Sequence, residues 1–134
     1  MKEEKGDPAK GEQAQHKADW AGRPASFLIG WGIPMLAAFA TNFIAMPMWA
    51  VTLVWMAAFA WMGTGCVLNA RHCGRQHCIY SGPVLLLGAV AVALVGLEIV
   101  SLGRDAFIIV VWTTFAAVAL TFVPEWIWGK YVQR

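Results

Sequence analysis

Four long apolar runs, divided by short charged or proline-containing breaks, constrain this chain more than any other feature. They cover about residues 24–43, 48–70, 83–102 and 106–123. A helix of roughly 20 apolar residues spans the hydrocarbon core of a bilayer. Only 13% of the residues are charged and 59% are hydrophobic, whereas a soluble domain carries about 25% charged residues. The sequence therefore predicts an all-α polytopic membrane protein with four transmembrane helices within residues 23–134.

Residues 1–22 have a different composition. Lys, Glu, Gln and Asp alternate there without apolar periodicity, and Gly6, Pro8 and Gly11 interrupt any regular helix. Such a segment buries too little apolar surface to offset the entropy lost on folding. We therefore predict a disordered cytosolic tail before the transmembrane domain.

The first apolar run contains a proline, Pro34, in its middle. Proline lacks an N–H group and its ring clashes with the carbonyl four residues earlier, so the sequence predicts a kink near Gly30. A broken helix can form part of a transporter's substrate site. Most membrane prolines only bend their helix, and both interpretations stay open.

The positively charged residues predict the orientation. With four spans, the N-terminal tail, the second loop and the C-terminus share one side, and Arg104 is alone on the other. The shared side holds the other nine of the ten Lys and Arg residues, namely Lys2, Lys5, Lys10, Lys17, Arg23, Arg71, Arg75, Lys130 and Arg134. The positive-inside rule then places both termini and the loop at residues 71–80 in the cytoplasm, for a protein of the bacterial inner membrane.

All three cysteines and two of the three histidines lie between residues 66 and 78: Cys66, His72, Cys73, His77 and Cys78. Residues seven apart share one face of a helix, and Gly74 is a natural helix terminator that would let the chain turn back. Thiolates with an imidazole suit soft or borderline metal ions such as Zn(II), Cu(I) or Hg(II). The sequence therefore predicts a metal site formed by these five side chains.

Two arginines flank this cluster, Arg71 and Arg75. Positive charge favours the thiolate form of cysteine, which binds metals, and disulfides are rare in the cytoplasm. A structural interpretation also stays open. Topology alone explains the arginines, cysteine is common as a small hydrophobic residue, and the spacing lacks the Cys-x-x-Cys pair of common zinc sites.

Residues 69–83 read Asn-Ala-Arg-His-Cys-Gly-Arg-Gln-His-Cys-Ile-Tyr-Ser-Gly-Pro. This stretch, which begins at Asn69, resembles the N-A-x-x-C-G-x-x-H-C-x-x-S/T-G-P signature of a family of small bacterial four-helix membrane proteins. Pro124-Glu125 and Gly129-Lys130-Tyr131 resemble the ending of that family, so the resemblance covers most of residues 55–131. It implies a role in heavy-metal resistance, especially to mercury.

Mercuric-ion transporters are similar to this chain in size and helix count, but they carry a cysteine pair in their first transmembrane helix. Residues 25–43 contain no cysteine, which puts a direct assignment to those transporters in doubt. Met46 and Met48 at the predicted outer turn, with Met35, offer thioethers that favour Cu(I). Methionine in such a place more often serves packing.

Glu98 is the only charged residue inside a predicted span. An intramembrane carboxylate costs about 2.5–3.5 kcal/mol on insertion scales and is a functional hypothesis by default. It follows Cys78 by twenty residues, so at 1.5 Å per residue we expect it roughly 30 Å from the cluster. Either a structural pair with Arg104 or a proton or cation relay explains it.

Three classes of function follow. The first is a membrane protein that transports a thiophilic metal ion or transfers it to the cytosol, without enzymatic activity. The second is a thiol-redox protein with Cys73 and Cys78 as its working pair. The third is a structural or accessory subunit of a membrane complex, which eight tryptophans would suit. Small residues of the third span, such as Gly88 and Gly96, would permit a homodimer, and the net charge of +2 argues against nucleic acid.

Overall fold

A computed structural model of the chain describes residues 8–132, and within that range it is helical without a strand. Helix α1 covers Pro8–Ala18, and a short 3-10 turn follows at Trp20–Gly22. The apolar part begins with α2, Pro24–Ala40. The remaining helices are α3 (Met48–Cys73), α4 (Gln76–Gly96), α5 (Arg104–Leu120) and α6 (Val123–Trp128). The all-helical prediction is confirmed.

Three helical stretches among the described residues are long and apolar enough to cross a membrane. They are α3 with 26 residues, α4 with 21 residues, and the 25-residue stretch Arg104–Trp128 that joins α5 to α6. Helix α2 is apolar but shorter than these three. Its 17 positions correspond to a length of roughly 26 Å at 1.5 Å per residue.

Helix α2 is irregular where the sequence predicts a kink. A π-helical turn covers Leu28–Gly32, and regular α-helix resumes at Ile33. Pro34 cannot donate to the carbonyl of Gly30, so the hydrogen-bonding pattern widens just before the proline. The position of the irregularity thus follows from the proline.

Helix α4 begins and ends earlier than the third predicted span, and this corrects the prediction for Glu98. Pro83 lies inside the helix rather than at its start, an arrangement that membrane helices tolerate. A helix of 21 residues from Gln76 is already about 31 Å long at Gly96. Glu98 therefore lies in the turn beyond the helix, exposed and with φ of 57°, and not inside a span.

The N-terminal region also differs from its prediction. Residues 8–22, expected as part of a disordered tail, form α1 and the 3-10 turn, while residues 1–7 lie outside the described part of the chain. Asp19 accepts a hydrogen bond from Ala21 N at 3.0 Å and is only 1% exposed. Because α1 itself buries no residue, contacts of Asp19 and its neighbours, not apolar periodicity, hold this segment.

Aromatic side chains from three helices form one part of the core. Phe39 of α2, Trp55 and Phe59 of α3, and Phe115 of α5 pack with ring centroids 5.5–6.3 Å apart. Offset and edge-to-face pairs at such distances add about 0.5–1.5 kcal/mol to the burial of each ring. This cluster joins α2 and α5 to the same face of α3.

Small residues let the helices approach closely elsewhere. A Cβ atom on Gly82 of α4 would lie 2.7 Å from Val67 Cγ2 of α3. Gly88 and Gly96 of α4, expected as a dimer surface, are buried against Thr114 and Thr52 of the same chain. Their face is therefore already occupied within the chain.

The two ends of the helix bundle are built differently. Residues 8–22, 73–77 and 125–132 meet at one end, here called the junction end. Gln76 N donates to Lys130 O at 3.1 Å, Val132 N to Gly74 O at 2.9 Å, and Gln15 Nε2 to Val132 O at 3.3 Å. The opposite end consists of the turns at residues 41–47 and 97–103, here called the turn end.

Candidate thiol site at the junction end

A two-residue turn positions the cysteines and histidines. Helix α3 ends at Cys73, and Gly74 has φ of 69°, a conformation that favours glycine. Arg75 is the N-cap of α4. The predicted loop at residues 71–80 is therefore mostly helix, so Cys73 and Cys78 lie on different helices.

Two of the three cysteines face each other between α3 and α4. The thiols of Cys66 on α3 and Cys78 on α4 lie close enough to influence each other's charge, and the two residues are 3% and 0% exposed. Trp31 Nε1 donates to Cys66 Sγ at 3.3 Å, and Asn69 Nδ2 donates to Cys78 Sγ at 3.5 Å. No disulfide joins the cysteines, so the pair is a dithiol.

Two of the other predicted ligands, Cys73 and His72, do not join this pair. Cys73 Sγ donates to Asn69 O at 3.1 Å, and His72 is exposed beside the indole of Trp20 with ring centroids 4.9 Å apart. No three His, Cys, Asp or Glu side chains within residues 8–132 form a group that could hold a metal ion. The five side chains of the predicted cluster therefore do not converge on one point in the structure. Seven residues of helix separate Cys66 from Cys73 by about 10 Å along the axis, too far for one ion.

His77 connects the thiol pair to an acidic residue. Its Nε2 atom lies 3.4 Å from Cys78 Sγ, and its Nδ1 atom contacts Glu125 Oε2. The imidazole stacks on Phe122 with a centroid distance of 4.4 Å and an interplanar angle of 17°. Two groups from the C-terminal segment thus fix the orientation of the ring.

Arg75 pairs with two carboxylates from opposite ends of the sequence. Its Nη1 atom lies 2.6 Å from Asp19 Oδ2, and its Nη2 atom lies 3.4 Å from Glu125 Oε1. Arg71, which the sequence made equivalent to Arg75, is exposed instead. The positive charge beside the thiol site therefore comes from Arg75, which pairs with Asp19 and with Glu125, and Glu125 in turn contacts His77.

The charge states of this network follow from its contacts. Burial alone would raise the pKa of Asp19, but the hydrogen bond from Asn69 and the charge of Arg75 outweigh it and hold that pKa below its ordinary value. Burial, together with the nearby Asp19, raises the pKa of Tyr131 to about 12. Tyr131 OH therefore stays protonated and donates to Asp19 Oδ2 at 3.3 Å.

Asn69 links the N-terminal segment to the thiols. It is fully buried, accepts from Trp20 N at 2.8 Å, and donates to Asp19 Oδ1 at 3.0 Å and to Cys78 Sγ. Both hydrogens of the amide are used, one on each acceptor. Asn69 is thus a positioning residue for Cys78 rather than a ligand.

Several residues of the site have no recognisable signature in the sequence. Asp19 lies in the segment predicted as a tail, and Trp31 and Ser81 lie in apolar runs. Ser81 Oγ, beside Cys66, is buried and has no well-aligned hydrogen bond among the described residues. Glu125 is the exception, because it belongs to the Pro-Glu ending that supports the family resemblance. Glu98 lies at the turn end and takes no part.

Comparisons of the chain with family models, with curated proteins and with solved structures find no match.

Proposed function

We propose that the chain is a protein of the bacterial inner membrane with four crossings and with both termini in the cytoplasm. Three crossings correspond to α3, α4 and the stretch Arg104–Trp128, and α2 would supply the fourth. The junction end carries most of the Lys and Arg residues, which supports its assignment to the cytoplasm.

We further propose that the dithiol of Cys66 and Cys78 binds a thiophilic metal ion on its way to the cytosol. The observation that carries this proposal is the proximity of the two thiols, which two different helices bring together in a buried site. Soft thiolate ligands select soft ions, so Cu(I) and Hg(II) are favoured over Zn(II), which requires four ligands. Two sulfurs are enough for two-coordinate binding.

His77 would remove the proton that metal binding releases. Metal ions bind thiolate, so both thiols must lose a proton when an ion enters: His77 would accept the proton of Cys78, and the proton of Cys66 would be released to the solvent. With Nδ1 protonated and directed at Glu125, Nε2 is an acceptor 3.4 Å from Cys78 Sγ. The resulting imidazolium would be stabilised by Glu125, as carboxylates support histidines at metal sites.

The surroundings of the dithiol also suit a bound ion. Ser81 Oγ is buried, lies near Cys66 and lacks a well-aligned partner, so it is an additional polar group at the site. The indole of Trp31 covers Cys66 on the side of α2. Ser81 Oγ and the indole N–H of Trp31 thus add two polar groups beside the thiol pair.

The test is a titration of the full chain in detergent, under reducing conditions, with Cu(I), Hg(II) and Zn(II). A competing small-molecule dithiol removes ions that only one sulfur holds. We expect one Cu(I) or Hg(II) per chain in the wild type and in Cys73→Ser, the matched control. Cys66→Ser and Cys78→Ser should lose uptake. Equal uptake by all four proteins would overturn the proposal.

A second titration separates the role of His77 from that of the sulfurs. His77→Gln leaves both thiols in place, so binding should weaken by roughly 10–100-fold without being abolished, the usual effect of losing a supporting group. Exposed His72 provides the control, and His72→Gln should bind as the wild type does. Equal metal affinities of His77→Gln and His72→Gln would show that His77 does not assist metal binding.

The same proximity of Cys66 and Cys78 supports a second candidate, a reversible disulfide. An oxidant such as a small-molecule disulfide would take two electrons and two protons and leave a bond between Cys66 and Cys78. Mild oxidation should then remove two of the three thiols in the wild type and none in Cys78→Ser. Retention of all three thiols in the wild type would exclude this candidate.

A further inference from the structure

A separate groove lies between the first half of α2 and the junction-end half of α3. Its volume is about 450 Å³, within the range of about 300–1,000 Å³ that holds small ligands. Three indoles, from Trp20, Trp31 and Trp61, line it together with aliphatic side chains. The groove is therefore apolar along most of its length.

The backbone leaves this space open. The π-helical turn Leu28–Gly32 lies along the groove, and such turns are frequent at functional sites. A Cβ atom on Gly30 would meet nothing within 4 Å, and one on Gly65 across the groove would approach only Trp31, at 3.9 Å. Two glycines on facing helices thus widen the groove where a side chain would otherwise fill it.

One end of the groove carries a positive charge. Arg23, at the start of α2, is its only charged lining residue. The guanidinium donates to Lys17 O at 2.8 Å and is exposed, which uses one of its five N–H donors. Ser26 adds a hydroxyl near the same end. The groove therefore joins a cationic mouth to an aromatic and aliphatic interior.

We infer that this groove binds one anionic phospholipid, with the phosphate at Arg23 and an acyl chain between Trp31 and Trp61. Guanidinium binds phosphate through paired hydrogen bonds, and an anionic head group gains net attraction that a zwitterionic one lacks. No carboxylate lines the groove to oppose it. Trp31 also contacts Cys66, but the inference does not depend on metal binding.

Native mass spectrometry of the full chain tests it, with equal amounts of dioleoyl phosphatidylglycerol and dioleoyl phosphatidylcholine in the detergent. The wild type should retain phosphatidylglycerol about fivefold more often, the effect of one cation near a head group. Arg23→Gln should lose this preference, and the matched control Arg71→Gln, at an exposed arginine of the same end, should keep it. Equal retention of both lipids, or equal loss in both variants, would overturn the inference.

A second pair of variants tests the interior of the groove. Gly30→Leu fills the space and should reduce retention of phosphatidylglycerol, whereas Ala57→Leu on an exposed face of α3 should not. Undiminished retention by Gly30→Leu would contradict the proposed position of the acyl chain.

Photolabelling of the wild type needs no variant. In vesicles of phosphatidylcholine with a few per cent of phosphatidylglycerol carrying a diazirine on one acyl chain, labels should concentrate at residues 26–31 and 61–68. Labels spread evenly over the exposed faces of α4 and α5 would overturn the inference even if the variants failed to fold.

Discussion

The junction end and the turn end belong to the same helix bundle, but different interactions hold the chain together at each end. At the junction end, charged residues are largely buried and paired: both ion pairs of Arg75 and the contact between His77 and Glu125 lie there. At the turn end, Glu98, Arg104 and Asp105 are exposed. The turn end is held by close helix packing, and the junction end by specific polar contacts as well.

This difference indicates which residues tolerate substitution least. A buried ion pair is weak evidence for stability, but removal of one partner leaves an uncompensated charge, which is strongly destabilising. Asp19, Arg75 and Glu125 come from three separate segments. Their pairing therefore fixes the N-terminal segment, the turn between α3 and α4, and α6 relative to the thiol pair.

The largest expected effect comes from removing the central cation of the junction end. Arg75→Met leaves Asp19 and Glu125 without their partner, and we expect unfolding in detergent to become easier by about 3–5 kcal/mol. Arg104→Met at the turn end changes an exposed residue and should stay within about 0.5 kcal/mol. Similar unfolding midpoints for the two variants would contradict the claim that charged residues stabilise the junction end more than the turn end.

The next effect concerns the buried amide. Asn69→Ala removes bonds to the Asp19 carboxylate, to Trp20 N and to Cys78 Sγ, and should cost about 1.5–3 kcal/mol. Asn42→Ala is the control, because that exposed amide caps only its own turn. We also expect faster alkylation of Cys78 in Asn69→Ala than in the control. Unchanged alkylation with unchanged stability would show that Asn69 positions nothing.

Close packing of α4 against α3 should contribute equally to stability at both ends, unlike the polar contacts. Gly82→Ala places a methyl group against Val67 of α3, and Gly96→Ala places one against Thr52. Each should cost about 1–3 kcal/mol in the same unfolding measurement. A large cost at one position and none at the other would show that helix packing, too, differs between the ends.

The smallest effect is the titration of Tyr131. In a Tyr80→Phe background, absorbance should report ionisation near a pKa of about 12 rather than the ordinary 10.0. Because the folded state holds this proton more tightly, the stabilisation is full below pH 10 and is lost as the pH rises towards 12. Asp19→Asn should bring the pKa down towards 10. A midpoint that Asp19→Asn leaves unchanged would contradict the contact.

The sequence predicts the fold better than it predicts the site. Apolar length identifies α3, α4 and α5, and Pro34 locates the irregular turn of α2. The start of α4 was missed because Pro83 resembles a helix start, although helix interiors in membranes accept proline. That error placed Glu98 inside a span.

The site was harder to predict because its contacts are distant in sequence. Asp19 and Arg75 are 56 residues apart, and His77 and Glu125 are 48 apart. Local composition in residues 1–22 indicates disorder, and only the tertiary contacts of Asp19 and Trp20 override it. Clustering of cysteine and histidine correctly pointed to the junction, but it could not say that Cys66 meets Cys78 while Cys73 bonds to the backbone.

The most direct test of the central claim is X-ray absorption spectroscopy of the full chain loaded with one Cu(I) per molecule. The proposed site predicts two sulfur neighbours around the ion in the wild type and the same two in Cys73→Ser. A third sulfur neighbour in the wild type that is absent in Cys73→Ser would show that all three cysteines bind the ion. Fewer than two sulfurs in the wild type would contradict binding by the Cys66–Cys78 pair.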